Sequence, residues 1–348
     1  MKKVFVSNLR EGARIEDVFL VASKSVASTR AGSPFLRVKL ADKTGEIDAI
    51  KWEISESEVS RLREDDYVLV HGSVRTYNDS LQVCVDSLTR YGEPVDPADF
   101  IASSGRDPQE MMSEFRTLIG RVSDPHLKGL LDSFFEDEEF ARKFQQAPAA
   151  ARNHHAYVGG LLEHTINVLK TCAALTDLYP QANADLVITG AALHDVGKVD
   201  EFVWSGSIRY SEEGNLIGHV VGGAMMVRQA IAAIDGFDPM MALTLQHVIL
   251  AHHGRLEHGS PKLPQCFEAL LLHHADDLDA QVSMFEKAIQ ESDESGSSGL
   301  FTKRHHLLDR PIFKGLERAA ALNGSDSGDG EVDFEGFAVD SDSGPLAE

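Results

Sequence analysis

Cysteine is scarce in this chain. Cys84, Cys172 and Cys266 are far apart, odd in number and in no CxxC pair. That excludes a disulfide framework and a thiolate zinc site, and leaves the thiols as small buried hydrophobes. No apolar run approaches the roughly 20 residues a membrane span needs, and MKKVFVSNLR lacks the apolar core and cleavage site of a signal peptide. The expectation is a cytoplasmic protein with no membrane partner.

Basic side chains are also in short supply, 33 Lys and Arg against 55 Asp and Glu for a net charge of −22. Such a balance ordinarily argues against a polyanionic partner. Its distribution is uneven, however: residues 1–90 carry fourteen basic and fourteen acidic side chains, whereas residues 323–348 carry eight acidic and no basic ones. The neutral amino-terminal region is therefore the less repulsive surface for a nucleic acid. With 348 residues, 43% hydrophobic and 25% charged, the chain is long enough for two or three domains of an ordinary globular protein, and it shows no internal repeat.

Residues 1–90 read as short strands: FLRVKL, the turn ADKTGE, IDAIKW, then DYVLVHGSVRTY and LQVCVDSL joined at Asn78-Asp79-Ser80, with one helical piece at SESEVSRLRE. Five strands with one helical insert suit a small OB-fold barrel. Residues 91–107, rich in Pro, Gly, Ser and Asp, read as a linker. Asp107-Pro108 is a cap followed by a first helical position. From 108 to 322 the apolar spacing is helical almost throughout, with IRYSEEG at 208–214 as a short hairpin or loop. Residues 323–348 are Gly/Ser-rich and acidic, the composition of a disordered tail. The fold class expected is multidomain: an amino-terminal β-barrel, an all-α domain and that tail.

The chemistry lies in the all-α part. His194 and Asp195 close ADLVITGAALHDVGK, a helix too apolar for a surface. Two metal-capable groups at the end of a buried helix are costly unless something satisfies them. His164 lies on the apolar helix GGLLEHTINVLK, and Asp276 lies in a helix beginning near Pro264, where Leu271, Leu272, Ala275 and Leu278 imply burial. His219 and His252 supply a second set, with Asp195 as the bridge. A mixed nitrogen and oxygen shell suits manganese, iron, cobalt or zinc, and a pair of such ions about 3.5 to 4 Å apart serves phosphoryl hydrolysis. Any single histidine among the 15 can equally be an ordinary core or surface residue; His154, His247, His258, His273, His274, His305 and His306 are read that way. His253 stands open between ligand and phosphate-contacting neighbour.

In order, His164, His194, Asp195 and Asp276 resemble the signature of the HD superfamily of metal-dependent phosphohydrolases, and His219 and His252 resemble the extra histidines of its dinuclear members. With a barrel ahead of HAYVGGLLEHT, HDVGK, NLIGHV and HHGRLEHGSP, residues 1 to about 315 resemble the YhaM type of 3′-to-5′ exoribonuclease. The cyclic-di-GMP phosphodiesterase branch does not fit, because GRLEHGSP follows His252-His253. The acidic tail departs from the pattern.

This resemblance implies an enzyme with two divalent ions, manganese ahead of cobalt, iron or zinc, acting on the 3′ end of single-stranded RNA, with single-stranded DNA and a homo-oligomer left open. It implies His164, His194, Asp195, His219, His252 and Asp276 as metal residues, with His253 kept beside them as the alternative or additional ligand to His252. Asp195, Lys198 and His155 are the candidate catalytic residues, with Lys198 equally readable as a solvated helix-end lysine. Glu201, Glu257 and Ser260 are candidate supports. In the barrel, Phe35, Trp52 and Tyr77 are candidate stacking groups and Arg37, Lys51 and Arg75 candidate backbone contacts, against the alternative that Phe35 or Trp52 is core. Hydrolysis of small nucleotides, and metal-containing strand binding without catalysis, are the competing readings.

Overall fold

The computed structural model describes residues 2–28, 32–52, 54–77, 80–96, 99–151, 155–204, 207–297, 299–305 and 307–316. The expected acidic tail at 323–348 and the turn residues Asn78 and Asp79 lie outside them. The chain packs as two compact units, 1–284 and 285–348.

In the first unit, alternation makes the strands. β1 (Arg14–Ser28), β2 (Pro34–Asp42), β3 (Gly45–Trp52), β4 (Tyr67–Tyr77) and β5 (Ser80–Arg90) close a barrel in the order β1-β2-β3-β5-β4, with α1 (Glu56–Arg61) between β3 and β4. All pairings are antiparallel except β3 with β5. Leu36, Val38 and Leu40 of β2 point inward to meet Ile47, Ala49, Val68, Val70, Val74 and Val83, while the residues between them point outward. This is the five-stranded barrel expected from the sequence.

The helical part follows as α2 (Pro108–Ile119), α3 (Pro125–Phe135), α4 (Glu138–Gln146), α5 (Gly160–Leu178), α6 (Ala184–Leu193), α7 (Lys198–Glu201), α8 (Glu212–Leu216), α9 (His219–Ala232), α10 (Pro239–Ala251) and α11 (Phe267–Glu294). Three of these begin with Asp-Pro, where Asp107, Asp124 and Asp238 each accept backbone N–H bonds from the first turn. A cap of this kind is worth roughly 1 kcal/mol. α6 is the central rod: Leu186 to Leu193 are all buried, packed against α5, α10, α3 and α2. A helix apolar on every side needs such a surround. Within 208–214, Arg209–Tyr210 pairs with Phe202–Val203 as a two-stranded ribbon, β6 and β7, before α8 starts.

Within the expected linker, the described residues 99–107 form a docked strap. Phe100 is buried with Leu20 and Ala41 of the barrel, and Ser103 bridges to Val158 ahead of α5. A second tie runs from Asp65, before β4, which pairs with Arg209 at 3.1 Å and accepts a hydrogen bond from Ser207. In the unit 285–348, Phe301 pairs with Phe313 and His305 with Arg310.

Candidate metal centre and nucleic-acid face

Four helix ends and two mid-helix positions deliver the site. α6 ends at Leu193, so His194 and Asp195 emerge from the buried rod, and α10 ends at Ala251, so His252 and His253 emerge beside them. His219 opens α9 and Lys198 opens α7. His164 comes from α5 and Asp276 from α11. The centre is deep: His164, His194, Asp195 and His252 are each 2% exposed or less.

Two sets of ligand-type atoms result, each within 4.8 Å: His164, His194 and Asp276, and His219, His252 and His253. Asp195 lies between the sets. Its Oδ2 is 3.6 Å from His164 Nε2 and 3.4 Å from His194 Nε2, while its Oδ1 is 3.5 Å from His219 Nε2 and 3.7 Å from His252 Nε2.

The imidazoles share one orientation. Nδ1 of His194 is bonded to the Ala191 carbonyl at 2.8 Å, that of His252 to Ile249 at 2.7 Å and that of His253 to His258 at 3.0 Å. Nδ1 of His164 meets Asp279 at 2.7 Å, and Nδ1 of His219 meets Glu201 at 2.8 Å. An imidazole that donates from Nδ1 presents a lone pair at Nε2. Five such nitrogens therefore converge on two carboxylates. Nε2 of His252 and both oxygens of Asp195 are buried with no hydrogen-bond partner. Polar atoms without an oriented hydrogen bond at this depth cost about 1 to 3 kcal/mol each, and the Lys198 ammonium beside Oδ2 offsets that only on one side of the carboxylate. Divalent cations would satisfy these groups, and the mixed donor set fits a borderline or hard metal.

Electrostatics agree. Burial disfavours charge on Asp195, but Lys198, His194 and His219 more than offset it and hold the carboxyl well below the usual range. Burial, reinforced by His253 and His194, pushes His252 well below the usual histidine value, and burial with His219 lowers that of His253. Both are thereby held as neutral imidazoles, the form that binds metal. His164 differs: burial is outweighed by Asp276 and Asp279, which push it up to about 9, so without a metal the ring holds a proton on each nitrogen between two carboxylates, and a cation bound there would take the place of the Nε2 proton.

Lys198 is buried with its Nζ 2.6 Å from Asp195 Oδ2, so the solvated helix-end reading is corrected. Burial works against its ammonium, yet Asp195 raises its pKa above the ordinary value. His155 is buried beside His164, with ring centroids 5.6 Å apart. Leu278, expected in the core, is half exposed because it falls on the outer side of α11. Sequence reading missed Asp279; the available signal was its position three residues after Asp276, on the same helix face. Glu201, a candidate support, accepts from both the backbone N–H and Nδ1 of His219. His273, read as an ordinary residue, is bonded through Nδ1 to the His252 carbonyl at 2.9 Å and so fixes that turn.

On the barrel, the structure separates the candidates. Trp52 and Tyr77 are exposed, but Phe35 is buried, its ring 4.9 Å from Trp52 in a cross-strand pair on the outer wall. Phe35 therefore supports Trp52 and is neither a free platform nor part of the barrel core. Tyr77 stands opposite Ser80, and Asp48 opposite Gln82, which sets Tyr77 level with Glu46, six residues along β3 from Trp52. That is roughly 20 Å, too far for one stacking platform. Arg37 and Arg75 share the outward face with both aromatics, whereas Lys51 pairs with Leu36 and alternates to the other face.

Comparison with known proteins adds the kinship. Residues 161–281 match the family described as HD domain, and residues 20–91 match the OB-fold nucleic acid binding domain. The 3′-5′ exoribonuclease YhaM of Geobacillus sp. (strain WCH70) is 33% identical over 314 residues, covering 88% of this chain and 94% of that protein. The 3′-5′ exoribonuclease YhaM of Bacillus velezensis is 33% identical over 306 residues, covering 87% and 95%. Among solved structures, the second OB-fold domain of replication protein A from Methanococcus maripaludis aligns at 20% identity over 27% of this chain and 98% of its own. Its TM-score of 0.22 adds nothing to what the barrel topology already gives. Near-complete coverage on both sides, at this identity and across both kinds of domain, leads to one conclusion: the chain belongs to the YhaM family of 3′-5′ exoribonucleases.

Proposed function

We propose that this chain is a metal-dependent 3′-to-5′ exoribonuclease that hydrolyses the terminal phosphodiester of single-stranded RNA and releases nucleoside 5′-monophosphates. The observation that carries the hydrolase reading is the convergence of four imidazole Nε2 atoms on Asp195, His164 and His194 at Oδ2 and His219 and His252 at Oδ1, with His253 grouped beside the second pair. Direction and RNA substrate come from the kinship. His164, His194 and Asp276 would hold one divalent ion, His219, His252 and His253 a second, and Asp195 would serve both, with manganese first among the metals. When bound, such a pair neutralises charge developing at phosphorus and lowers the pKa of the attacking water.

The remaining work falls to the protein. Lys198 keeps its proton in a buried pair with Asp195 and can offer that ammonium to a phosphate oxygen. Asp279 and Glu201 hold Nδ1 of His164 and His219, so both rings keep Nε2 turned toward the centre. Burial of the centre excludes bulk water, which strengthens every charge interaction within it. On the barrel, residues 1–90, the exposed Trp52 and Tyr77 with Arg37 and Arg75 form a strip that suits a single strand tracked by stacking and phosphate contacts.

The test is a 5′-labelled single strand incubated with the pure protein and manganese, beside a circular strand and free nucleotides. A ladder shortening from the 3′ side is expected, with the circle intact. Immediate release of a labelled mononucleotide, cutting of the circle, or hydrolysis of the free nucleotides with the strand left whole would require a different enzyme.

A further inference from the structure

We propose that Asp279 is the positioning residue of the His164 side of the centre, fixing His164 as a ligand and His155 beside it through a single carboxylate oxygen. Asp279 Oδ2 is 2.7 Å from His164 Nδ1 and 3.0 Å from His155 Nε2, and its side chain is largely buried on α11. The same helix supplies Asp276, whose Oδ1 is 3.1 Å from Nε2 of the same His164 ring. One helical turn thus grips both nitrogens of one imidazole. Rotation of that ring would break both contacts at once.

The second ring held by this oxygen is held from its other side as well. His155 Nδ1 is 2.7 Å from the Tyr157 hydroxyl, which in turn bonds Glu163 at 2.9 Å. Its backbone is fixed too: φ is +50°, a conformation that L side chains rarely adopt, and its carbonyl accepts from the N–H groups of Ala149 and Tyr157. The first residue of α5, Gly160, presses against that carbonyl, and a Cβ there would lie 2.1 Å from the oxygen. A strained backbone persists only where its surroundings over-determine it, and such positions cluster at functional sites. The structure therefore spends a left-handed residue, a close glycine contact and a three-residue hydrogen-bond chain on holding His155 against Asp279.

His155, His164 and Asp279 also have the composition of a third metal group. Their spacing argues otherwise. Both nitrogens stand at hydrogen-bond distance from one oxygen, so their N–H groups face the carboxylate, and Nε2 of His164, the nitrogen left for an ion, faces the other way toward Asp276 and Asp195. The cluster supports the ion site next to it. Outer carboxylates that orient ligating histidines carry 10- to 100-fold in metal affinity in sites of this kind.

This inference rests on the dinuclear reading above, and the experiment keeps the two apart. Manganese binding to the full chain is followed by calorimetry, with metal content measured directly, for wild type, Asp279→Ala and Asp279→Asn. Expected are two ions on the wild type, a loss of roughly 10- to 100-fold at one site only in Asp279→Ala, and partial recovery in Asp279→Asn, whose amide oxygen still accepts. Should Asp279→Ala not fold, Asp279→Leu carries the same comparison, since it fills the space without an acceptor. Unchanged affinity at both sites in Asp279→Ala or Asp279→Leu overturns the positioning role. Equal loss at both sites, with no recovery in Asp279→Asn, also overturns it by reducing Asp279 to general scaffolding. Three ions on the wild type would make the cluster a site of its own, and none would overturn the metal centre and this proposal together.

Discussion

Asp195 faces one set of histidines with Oδ2 and the other with Oδ1, while the buried Lys198 ammonium sits 2.6 Å from Oδ2. Asp195→Ala is therefore expected to abolish hydrolysis and lower the content of both ions, since each set loses its shared ligand. It also strands the Lys198 ammonium, and an uncompensated buried charge costs about 3 to 5 kcal/mol. The double variant Asp195→Ala/Lys198→Met should regain much of that stability in metal-free buffer without regaining activity. Circular dichroism, thermal melting and metal analysis read the three effects separately; wild-type turnover in metal-depleted Asp195→Ala would remove the bridging role. Elsewhere, burial pushes the Cys172 thiol up to about 12, so it cannot supply thiolate at neutral pH. A thiol reagent should leave Cys172 unmodified in the native protein and reach it only on denaturation, as peptide mapping would check.

The ends of α6 and α9 meet because one residue between them has no side chain. A Cβ on Gly197 would lie 2.2 Å from the His219 carbonyl and 2.7 Å from the Gly223 nitrogen, both backbone atoms that cannot yield cheaply. Gly197→Ala should push the start of α9 away and draw His219 off Asp195, weakening one ion site and hydrolysis by about 10- to 100-fold. Calorimetry showing two unperturbed sites in a folded Gly197→Ala protein would refute this. At this scale the sequence was informative where a single period decides. The buried α6 ending in His-Asp, the Asp-Pro helix starts and the alternating strands all follow from local pattern, and with them the histidines and aspartates that the fold brings together at the candidate centre. Contacts between distant segments were not legible in the same way. Asp279 looks like one more acid on a polar helix until α5 is brought against it. Phe35 and Trp52 become a pair only through the β2–β3 register, and nothing in GEPVDPADFIASSGRDP announces that Phe100 will find an apolar seat on the barrel.

Across the first unit, barrel and helices are tied at two places, the Phe100 strap and the Asp65–Arg209 pair, so deleting residues 1–90 would expose buried surface as well as remove a binding face. Point changes on the outer wall of the barrel test its role more cleanly. Trp52 is half exposed and covers Phe35, so Trp52→Ala removes a stacking face without emptying the barrel core. A base stacked on an aromatic ring contributes about 1 to 3 kcal/mol, which is a 5- to 150-fold loss in affinity for a long single strand. Arg37→Ala and Arg75→Ala act through phosphates instead, and each lost phosphate contact lowers the slope of log affinity against log salt by about 0.7. Cleavage of a dinucleotide needs only the metal centre, and none of the three changes touches it. The expected pattern is a raised KM for a long strand, a shallower salt dependence in the arginine variants, and dinucleotide turnover within about twofold of wild type. Equal losses on long and short substrates would mean that the barrel completes the active site, and unchanged long-strand affinity in all three would move the RNA path to another face of the protein.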